Sequence, residues 1–282
     1  RVVVDKDYAR GGNVEHKANS LVLGLDNWIY NAKSDRRYRK IKGEWVMEHT
    51  PFRGQWGIDR DDYGRLFHNS NSTLLVGDYT FPNAVYGNTN SKMKAAISAR
   101  ISNNRVWPIR VTPGVNRGYQ RNTVSPENYK LINATGASGL AIFRGQGLGE
   151  KLYGTAFVTE ATGHLVKAIT IADGEGQLVG EHTFGEQEFL ASTDERFRPV
   201  NAYTAPDGSL YVLDMYHGII QHRTYVTSYL RKQILSRGLD KPGRGHGRIY
   251  RIRHRDKARE PAPELEQLGA TDLTVHLSHP NG

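Results

Sequence analysis

Cysteine is absent from this chain of 282 residues. Its absence excludes disulfide bonds, cysteine-ligated zinc and a covalently attached c-type haem within these residues, so a bound metal would have oxygen or imidazole ligands. The chain also lacks an apolar run of about 18 residues, and we therefore expect no transmembrane segment. Its first residues do not show the charged and then apolar pattern of a signal peptide.

Positive charge is in excess but is not concentrated in one region. There are 38 Lys and Arg residues against 29 Asp and Glu residues, which gives a net charge of +9. The basic residues form only short clusters, at 36–42 and 248–257, and are otherwise spread along the chain. This distribution favours a solvated surface over a nucleic-acid interface. Because the sequence opens on Arg1 and stops just after a helix-like stretch, we expect it to be a piece of a longer protein.

One short phrase occurs three times, at 23–30, 58–67 and 204–211. Each copy has an apolar strand end, an Asp followed by Asn, Tyr-Gly or Gly, and a second strand that opens on an aliphatic residue and an aromatic one. Such turns allow the positive φ that a tight β-hairpin needs. Repeated hairpins of this kind predict an all-β fold, a β-propeller of a partial or six-bladed type with four to five blades visible in this chain. The aromatic residues that close the phrases are expected in the core: Tyr30, Phe67 and Tyr211.

The remaining patterns divide the chain. We assign residues 1–255 to the propeller, truncated at its N-terminus, and residues 256–282 to a linker and the start of a helical segment. Helical spacing of apolar residues predicts a short helix inserted at 224–238, with Gly238 as its C-terminal cap. The stretch 80–130 is rich in Asn, Gly and Pro, which predicts a long loop, either a lid or an insertion without a role.

Polar residues flank each of the three phrases. In a propeller the strand ends meet at the mouth of the channel, and polar groups buried there need a shared polar centre to satisfy them. We predict in particular that the imidazole of His16 and the guanidinium groups of Arg196 and Arg198 converge on one pocket. The full set of candidates is His16, Asn19, Arg53, Gln55, His68, Asn69, Arg196, Arg198, Asp214, Tyr216 and His217.

These residues carry a resemblance to known enzymes. The segment 16–30, in which His16 leads into an apolar strand, resembles the matching strand of soluble quinoprotein glucose dehydrogenases and their sorbosone-dehydrogenase-like relatives. Arg196 and Arg198, ahead of 206–213, resemble the paired arginines of the same enzymes. The chain is still more similar to a bacterial family of membrane-bound dehydrogenase propellers, PVC-type haem-binding proteins, often fused to a helical repeat and a cytochrome module. This second resemblance covers about residues 14–254 and is carried by 107–119, 189–201 and 214–223.

The resemblance implies oxidation of a sugar or another alcohol, with pyrroloquinoline quinone (PQQ) and calcium as cofactors. His16 would take the hydroxyl proton, which suits an imidazole, and Arg53 would be an electrostatic clamp. Guanidinium groups suit the anionic quinone. The residues assigned to the cofactor are Arg196, Arg198, Gln55, Asn69 and Asp214. The residues assigned to the substrate are Asn19, His68, Tyr216 and His217.

The resemblance also implies a periplasmic or secreted protein, with a cytochrome or helical-repeat module elsewhere in the full-length chain. Two departures from the dehydrogenase pattern keep alternatives open, because Ser72-Thr73 replaces a calcium-binding Gly-Pro pair and the stretch 158–163 has no lysine. One alternative is a non-catalytic propeller that binds carbohydrate or protein. Another is a metal-dependent sugar lyase or dehydratase. The arginines have a structural alternative as well, in which they tie neighbouring blades together.

Overall fold

The repeated phrases are hairpin turns. The computed structural model describes residues 2–13, 15–84, 86–88, 90, 96–112, 122–222, 226–241, 245–257 and 261–281. Within the three phrases Asn27, Gly64 and Gly208 have φ angles of 61°, 73° and 74°. These are the left-handed values that tight hairpins require. The three predicted hairpins are therefore confirmed, together with the turn residues that close them.

The described strands pair into four antiparallel sheets in chain order, which are the blades of a β-propeller fold. Blade 1 contains β1 (Asn19–Leu23), β2 (Ile29–Ala32), β3 (Ser34–Ile41) and β4 (Glu44–Arg53). Blade 2 contains β5 (Ile58–Arg60), β6 (Leu66–Ser70), β7 (Thr73–Gly77) and β8 (Ala99–Arg100). Blade 3 contains β9 (Ala137–Ile142), β10 (Ala156–Glu160), β11 (Leu165–Gly174), β12 (Gln177–His182) and β13 (Leu190–Ala191). Blade 4 contains β14 (Pro199–Thr204), β15 (Leu210–Asp214) and β16 (Arg248–Ile252).

The core lies between the blades, which stack face to face in chain order. The first strands of consecutive blades touch one another: β1 contacts β5, β5 contacts β9, and β9 contacts β14. Tyr30 of blade 1 packs in one apolar cluster with Leu66 of blade 2. Phe157 of blade 3 packs in another with Val212 of blade 4. Burial of these apolar faces drives the stacking.

The strand register decides which aromatic residues reach the core. Tyr30 and Phe67 are 1% and 0% exposed, as predicted. Tyr211 is only half-buried, so its assignment to the core is wrong. It pairs across the sheet with Tyr203, which is 51% exposed, on the side of blade 4 that faces away from blade 3. Since side chains of a strand alternate between two faces, the residues next to Tyr211 are the ones that enter the core.

The predicted helical insertion is present as α1 (Ser228–Ser236), between the last two strands of blade 4. The side chain of Thr227 accepts a hydrogen bond from the amide of Leu230 at the start of α1, and Gly238 has a φ of 62° just after its end. Both are expected of helix caps. The predicted start at 224 falls on residues 223–225, which lie outside the described residues.

The C-terminal segment contains the helix α2 (Ala270–Val275). It returns to the blades, because the side chain of Asn281 accepts a hydrogen bond of 2.8 Å from the amide of Gln146 in blade 3. Whether a domain boundary falls at 255 stays a prediction. Among the described residues, no helix combines the length and the apolar character needed to cross a bilayer.

Candidate functional site

All the predicted site residues lie at one end of the blades, which we call the upper end. It is the end at which β1, β5, β9 and β14 begin. Because neighbouring strands are antiparallel, β4, β6, β10 and β15 finish there. The polar residues that flank the hairpin phrases therefore share an end of the fold, as the sequence predicted. They fall into separate groups within it.

Arg53 is buried between blades 1 and 2 and is engaged by protein groups. Its Nε and Nη2 atoms lie 2.9 and 2.8 Å from Oδ2 of Asp78. Its Nη1 donates to Oγ1 of Thr50 and to the carbonyl of Pro51, at 2.9 and 3.0 Å. Both Arg53 and Asp78 have side chains that are 1% exposed. This arrangement is the structural alternative for Arg53, a tie between two blades.

His68 belongs to the same buried group. Its Nε2 lies 3.2 Å from Oγ of Ser98, and the amide of Ser98 donates to Oδ1 of Asp78. Burial, with a smaller effect of the Arg53 charge, lowers the pKa of His68 to about 3. A neutral imidazole therefore sits beside the ion pair at physiological pH. The role of His68 toward a substrate stays a prediction.

Three of the predicted amide residues are joined in a network across the first strands. Nδ2 of Asn19 donates to the carbonyl of Gln55 at 2.8 Å, and the amide of Gln55 donates to the carbonyl of Asn69 at 2.8 Å. Nδ2 of Asn69 reaches the carbonyl of Ser138 in β9. This network links the upper ends of blades 1, 2 and 3.

The network positions an aromatic residue that sequence reasoning missed. Trp56 is half-buried, its Nε1 donates to Oδ1 of Asn71, and its carbonyl accepts from Oγ of Ser20 at 2.7 Å. The imidazole of His16 is exposed and lies edge-to-face to the indole, with 6.5 Å between ring centroids. The signal in the sequence was an aromatic residue set between Gly54 and Gly57.

The upper loops of blades 1 and 4 also meet. The carboxylate of Glu15 accepts a hydrogen bond of 2.6 Å from the amide of His222. His16 follows Glu15, and His222 lies in the loop that contains Tyr216 and His217. This contact brings the segment before β1 to the same end as the loop after β15. A common pocket for His16, Arg196 and Arg198 stays a prediction.

Arg198 is buried between blades 3 and 4 and donates to three carbonyls. Nη1 reaches Ala161 at 2.8 Å, Nη2 reaches Gly218 at 2.9 Å, and Nε reaches His217 at 3.1 Å. Burial lowers the pKa of Arg198 to about 10, while nearby carboxylates such as Glu160 oppose the shift. Like Arg53, this arginine has the position of a tie between blades.

Asp214, Tyr216 and Arg196 complete the group in blade 4. Oδ1 of Asp214 accepts hydrogen bonds from the backbone amides of Arg198 and Tyr216, each at 2.8 Å. These bonds give Asp214 a structural role at the end of β15. The two Nη groups of Arg196 donate to the carbonyls of Gly238 and Lys241, at 2.9 and 3.2 Å. Arg196 therefore binds the turn that follows α1, beside the end of the helix at which the helix dipole favours a cation.

Two buried acid and base residues near Arg198 were not anticipated. Glu160 is 0% exposed and accepts backbone hydrogen bonds from Thr135 and Gly136 at 3.1 and 2.6 Å. Burial raises its pKa, and the amides oppose that shift. Nδ1 of His164 lies 2.8 Å from the carbonyl of Phe197, and burial, followed by the Arg198 charge, lowers its pKa to about 3. Apart from the amide of Gly163, which also donates to Glu160, the partners of these two side chains are 24 or more residues away in sequence, so local patterns gave no signal.

A second buried ion pair anchors the long loop to blade 3. Nζ of Lys167 lies 2.8 Å from Oε1 of Glu188 and 4.2 Å from the ring centroid of Trp107. The amide of Trp107 donates to the same carboxylate oxygen at 2.6 Å. Burial lowers the pKa of Lys167 and raises that of Glu188, and their mutual attraction opposes both shifts. The loop at 101–112 is thus fixed to the blade.

Comparison with known proteins places the chain in a family. The match is to "Domain of unknown function (DUF7133)" over residues 6–256. The chain belongs to this family. A comparison with curated proteins gives no match.

Solved structures of low similarity were also found. A virginiamycin B lyase from Staphylococcus aureus is 12% identical, with a TM-score of 0.30, over 71% of this chain and 50% of its own. A glucose dehydrogenase is 14% identical, with a TM-score of 0.34, over 71% and 80%. The soluble aldose sugar dehydrogenase of Escherichia coli is 13% identical, with a TM-score of 0.28, over 69% and 73%. The DUF7133 chain thus spans about half the length of the lyase.

The described residues do not fit the quinone that the sequence resemblance implies. PQQ would require cationic donors that face it. The donors of Arg53 and Arg198 are directed at protein oxygens within the core, and Arg196 binds the turn that follows α1. The part of the chain that is described also has no group of three or more His, Asp or Glu residues arranged for a metal ion.

Proposed function

We propose that this DUF7133 chain is a propeller that binds a sugar or a related polyol at the upper end of its first strands, against Trp56 and His16. The observation that carries the proposal is the pairing of a half-buried indole with an exposed imidazole there. An aromatic face packs against the apolar side of a sugar ring. An imidazole and neighbouring amides supply hydrogen bonds to its hydroxyl groups.

The position of Trp56 supports this proposal because the ring is fixed before any ligand arrives. Its indole N–H is bonded to Asn71 and its carbonyl to Ser20, in different strands or turns. A side chain that is already ordered loses little conformational entropy on binding. This is the arrangement expected of a binding platform.

Oxidation of the bound sugar is the second candidate function. The exposed side chain of His16 favours it, since a solvent-accessible imidazole is the commonest general base in enzymes. The donors of the buried arginines are directed at protein oxygens and do not support a quinone site. We therefore propose sugar binding and not sugar oxidation. A metal-dependent lyase has no supporting ligand group among the described residues.

The test compares sugar binding by the parent chain and by two tryptophan variants. Binding of a panel of aldoses and polyols is measured by titration calorimetry. Trp56→Ala is expected to weaken binding by up to about tenfold, since an aromatic contact is worth about 0.5–1.5 kcal/mol. Trp45→Ala is the matched control, since Trp45 is 37% exposed and lies at the start of β4, at the end of blade 1 opposite to the upper end. Equal affinity of the Trp56→Ala variant and the parent would refute the binding site.

A turnover assay separates the two functions. The chain is incubated with PQQ, calcium, a sugar from the panel and a dye as electron acceptor. Dye reduction by the parent that is lost in His16→Ala would establish the oxidoreductase. Binding without dye reduction would leave the non-catalytic propeller.

Location and partners are part of the proposal. We propose a periplasmic or secreted protein that works beside a cytochrome or helical-repeat module, on the strength of the sequence resemblance described above. Fractionation of cells that express the natural gene tests the location. Recovery of the protein in the cytosolic fraction would contradict it.

A further inference from the structure

We infer that a cleft beside the long loop binds the acidic group of a saccharide, a carboxylate or a sulfate. The cleft has a volume of 400 Å³, within the range of about 300–1,000 Å³ of small-ligand sites. It lies at the upper end of blades 2 and 3. Its polar lining includes Arg100, Arg105, Asn103, Asn104, Asn122 and Asn133.

The walls of the cleft are held by backbone pairing within the loop. Arg105 and Asn133 form an antiparallel bridge, and the amide of Ala134 donates to the carbonyl of Asn104 at 2.9 Å. The side chain of Asn104 fixes the floor, because its Oδ1 accepts from the amide of Leu74 at 3.1 Å. Hydrogen bonds within the chain therefore fix these parts of the cleft wall.

Two guanidinium groups in this cleft have terminal nitrogens that make no hydrogen bond or ion pair to the described residues. Arg105 is exposed, and its guanidinium has no hydrogen bond or ion pair to the described residues. Toward the part of the chain that is described, the guanidinium of Arg100 makes one hydrogen bond, from Nε to the carbonyl of Ser102 at 3.1 Å. Other arginines contrast with this pair: Arg36, Arg65 and Arg110 each bind a carboxylate of this chain.

The lining selects the ligand by its chemistry. None of the described residues that line the cleft is acidic, so two cations face it without a counter-charge. A guanidinium binds a carboxylate or sulfate through two parallel N–H donors. The side chain of Asn104 is used within the chain, but Nδ2 of Asn103 and Oδ1 of Asn133 make no hydrogen bond to the described residues and offer a donor and an acceptor for the hydroxyl groups of a sugar. A uronic acid or a sulfated sugar presents both kinds of group.

This site is distinct from the one proposed for Trp56, although the two are close. Ser72 lines the cleft, and the preceding residue, Asn71, holds the indole of Trp56. A saccharide of several units could extend from one site to the other. The inference stands without the Trp56 site, because its own arginines lie in the cleft.

The experiment measures binding of a galacturonic acid trimer by titration calorimetry, with a neutral galactose trimer as the comparison ligand. The parent chain is expected to bind the acidic trimer at least tenfold more tightly than the neutral one, the worth of a charge-assisted hydrogen bond. Arg105→Gln and Arg100→Gln are each expected to weaken binding of the acidic trimer by about tenfold. Added salt is expected to weaken it as well.

The matched control is Arg231→Gln, which removes an exposed arginine of α1 and is expected to leave the affinity unchanged. Unfolding temperatures of the variants should equal that of the parent, since both cleft arginines are exposed. The inference is overturned if Arg105→Gln binds the acidic trimer as tightly as the parent, or if the two trimers bind equally. It is also overturned if inorganic sulfate alone binds as tightly as the acidic trimer. A Trp56→Ala variant that keeps acidic binding would separate this result from the proposed function.

Discussion

Loss of the Asp78 charge tests whether Arg53 is a structural tie. In Asp78→Asn the guanidinium of Arg53 would stay in a site where it is 1% exposed, without its counter-ion. Removal of one partner from a buried ion pair costs about 3–5 kcal/mol, because the remaining charge is neither solvated nor paired. Two contacts to Asp78, at 2.8 and 2.9 Å, place this pair at the upper part of that range. A chain of this kind has a total stability of about 5–15 kcal/mol, so the loss is easily measured.

The assay is urea-induced unfolding at pH 7, followed by tryptophan fluorescence. Asp7→Asn is the control, because the side chains of the Arg10–Asp7 pair are 74% and 71% exposed. Loss of such an exposed pair should leave the midpoint of urea unfolding unchanged. The double variant Arg53→Met with Asp78→Leu is expected to be more stable than Asp78→Asn, since it leaves no buried charge. A free energy of unfolding for Asp78→Asn within about 1 kcal/mol of the parent would refute the reasoning.

Two further predictions concern the buried histidines and the glycine before β5, Gly57. The pKa values of His68 and His164 are lowered to about 3, so the unfolded chain binds protons more readily and the free energy of unfolding falls as the pH drops from 6.5. At pH 5 the loss is about 2 kcal/mol for each histidine, and urea midpoints that are as high at pH 5 as at pH 7.5 would contradict this. A Cβ at Gly57 would lie 2.8 Å from the amide nitrogen of Leu140 in β9. Gly57→Ala is therefore expected to lower the free energy of unfolding by about 1–3 kcal/mol. Gly174→Ala is the control and should not lower it, because a Cβ at Gly174 would meet no atom within 4 Å. Equal unfolding temperatures of the two variants would argue against close packing of β5 and β9.

That the polar residues flanking the hairpin phrases share one end of the blades was predictable from the sequence, but their contacts were not. Turn chemistry and strand alternation placed the polar residues at one end of the blades, because hairpin geometry is local. The partner of Arg53 is Asp78, 25 residues further along, and the carbonyls that bind Arg198 come from Ala161 and from the loop after β15. Nothing in an arginine specifies which distant oxygen will receive its donors.

The amino-acid sequence by itself determined the hairpins, their left-handed turn residues and the helix that interrupts the last blade. Each of these depends on the conformational preferences of a few neighbouring residues, as in the Asp207-Gly208 turn. Only the tertiary structure decided that Tyr211 faces away from the core. It also decided that the guanidinium groups of Arg53 and Arg198 bind protein oxygens between neighbouring blades. Those outcomes depend on which sheet faces meet, and stacking of whole blades brings together groups that are far apart in the chain.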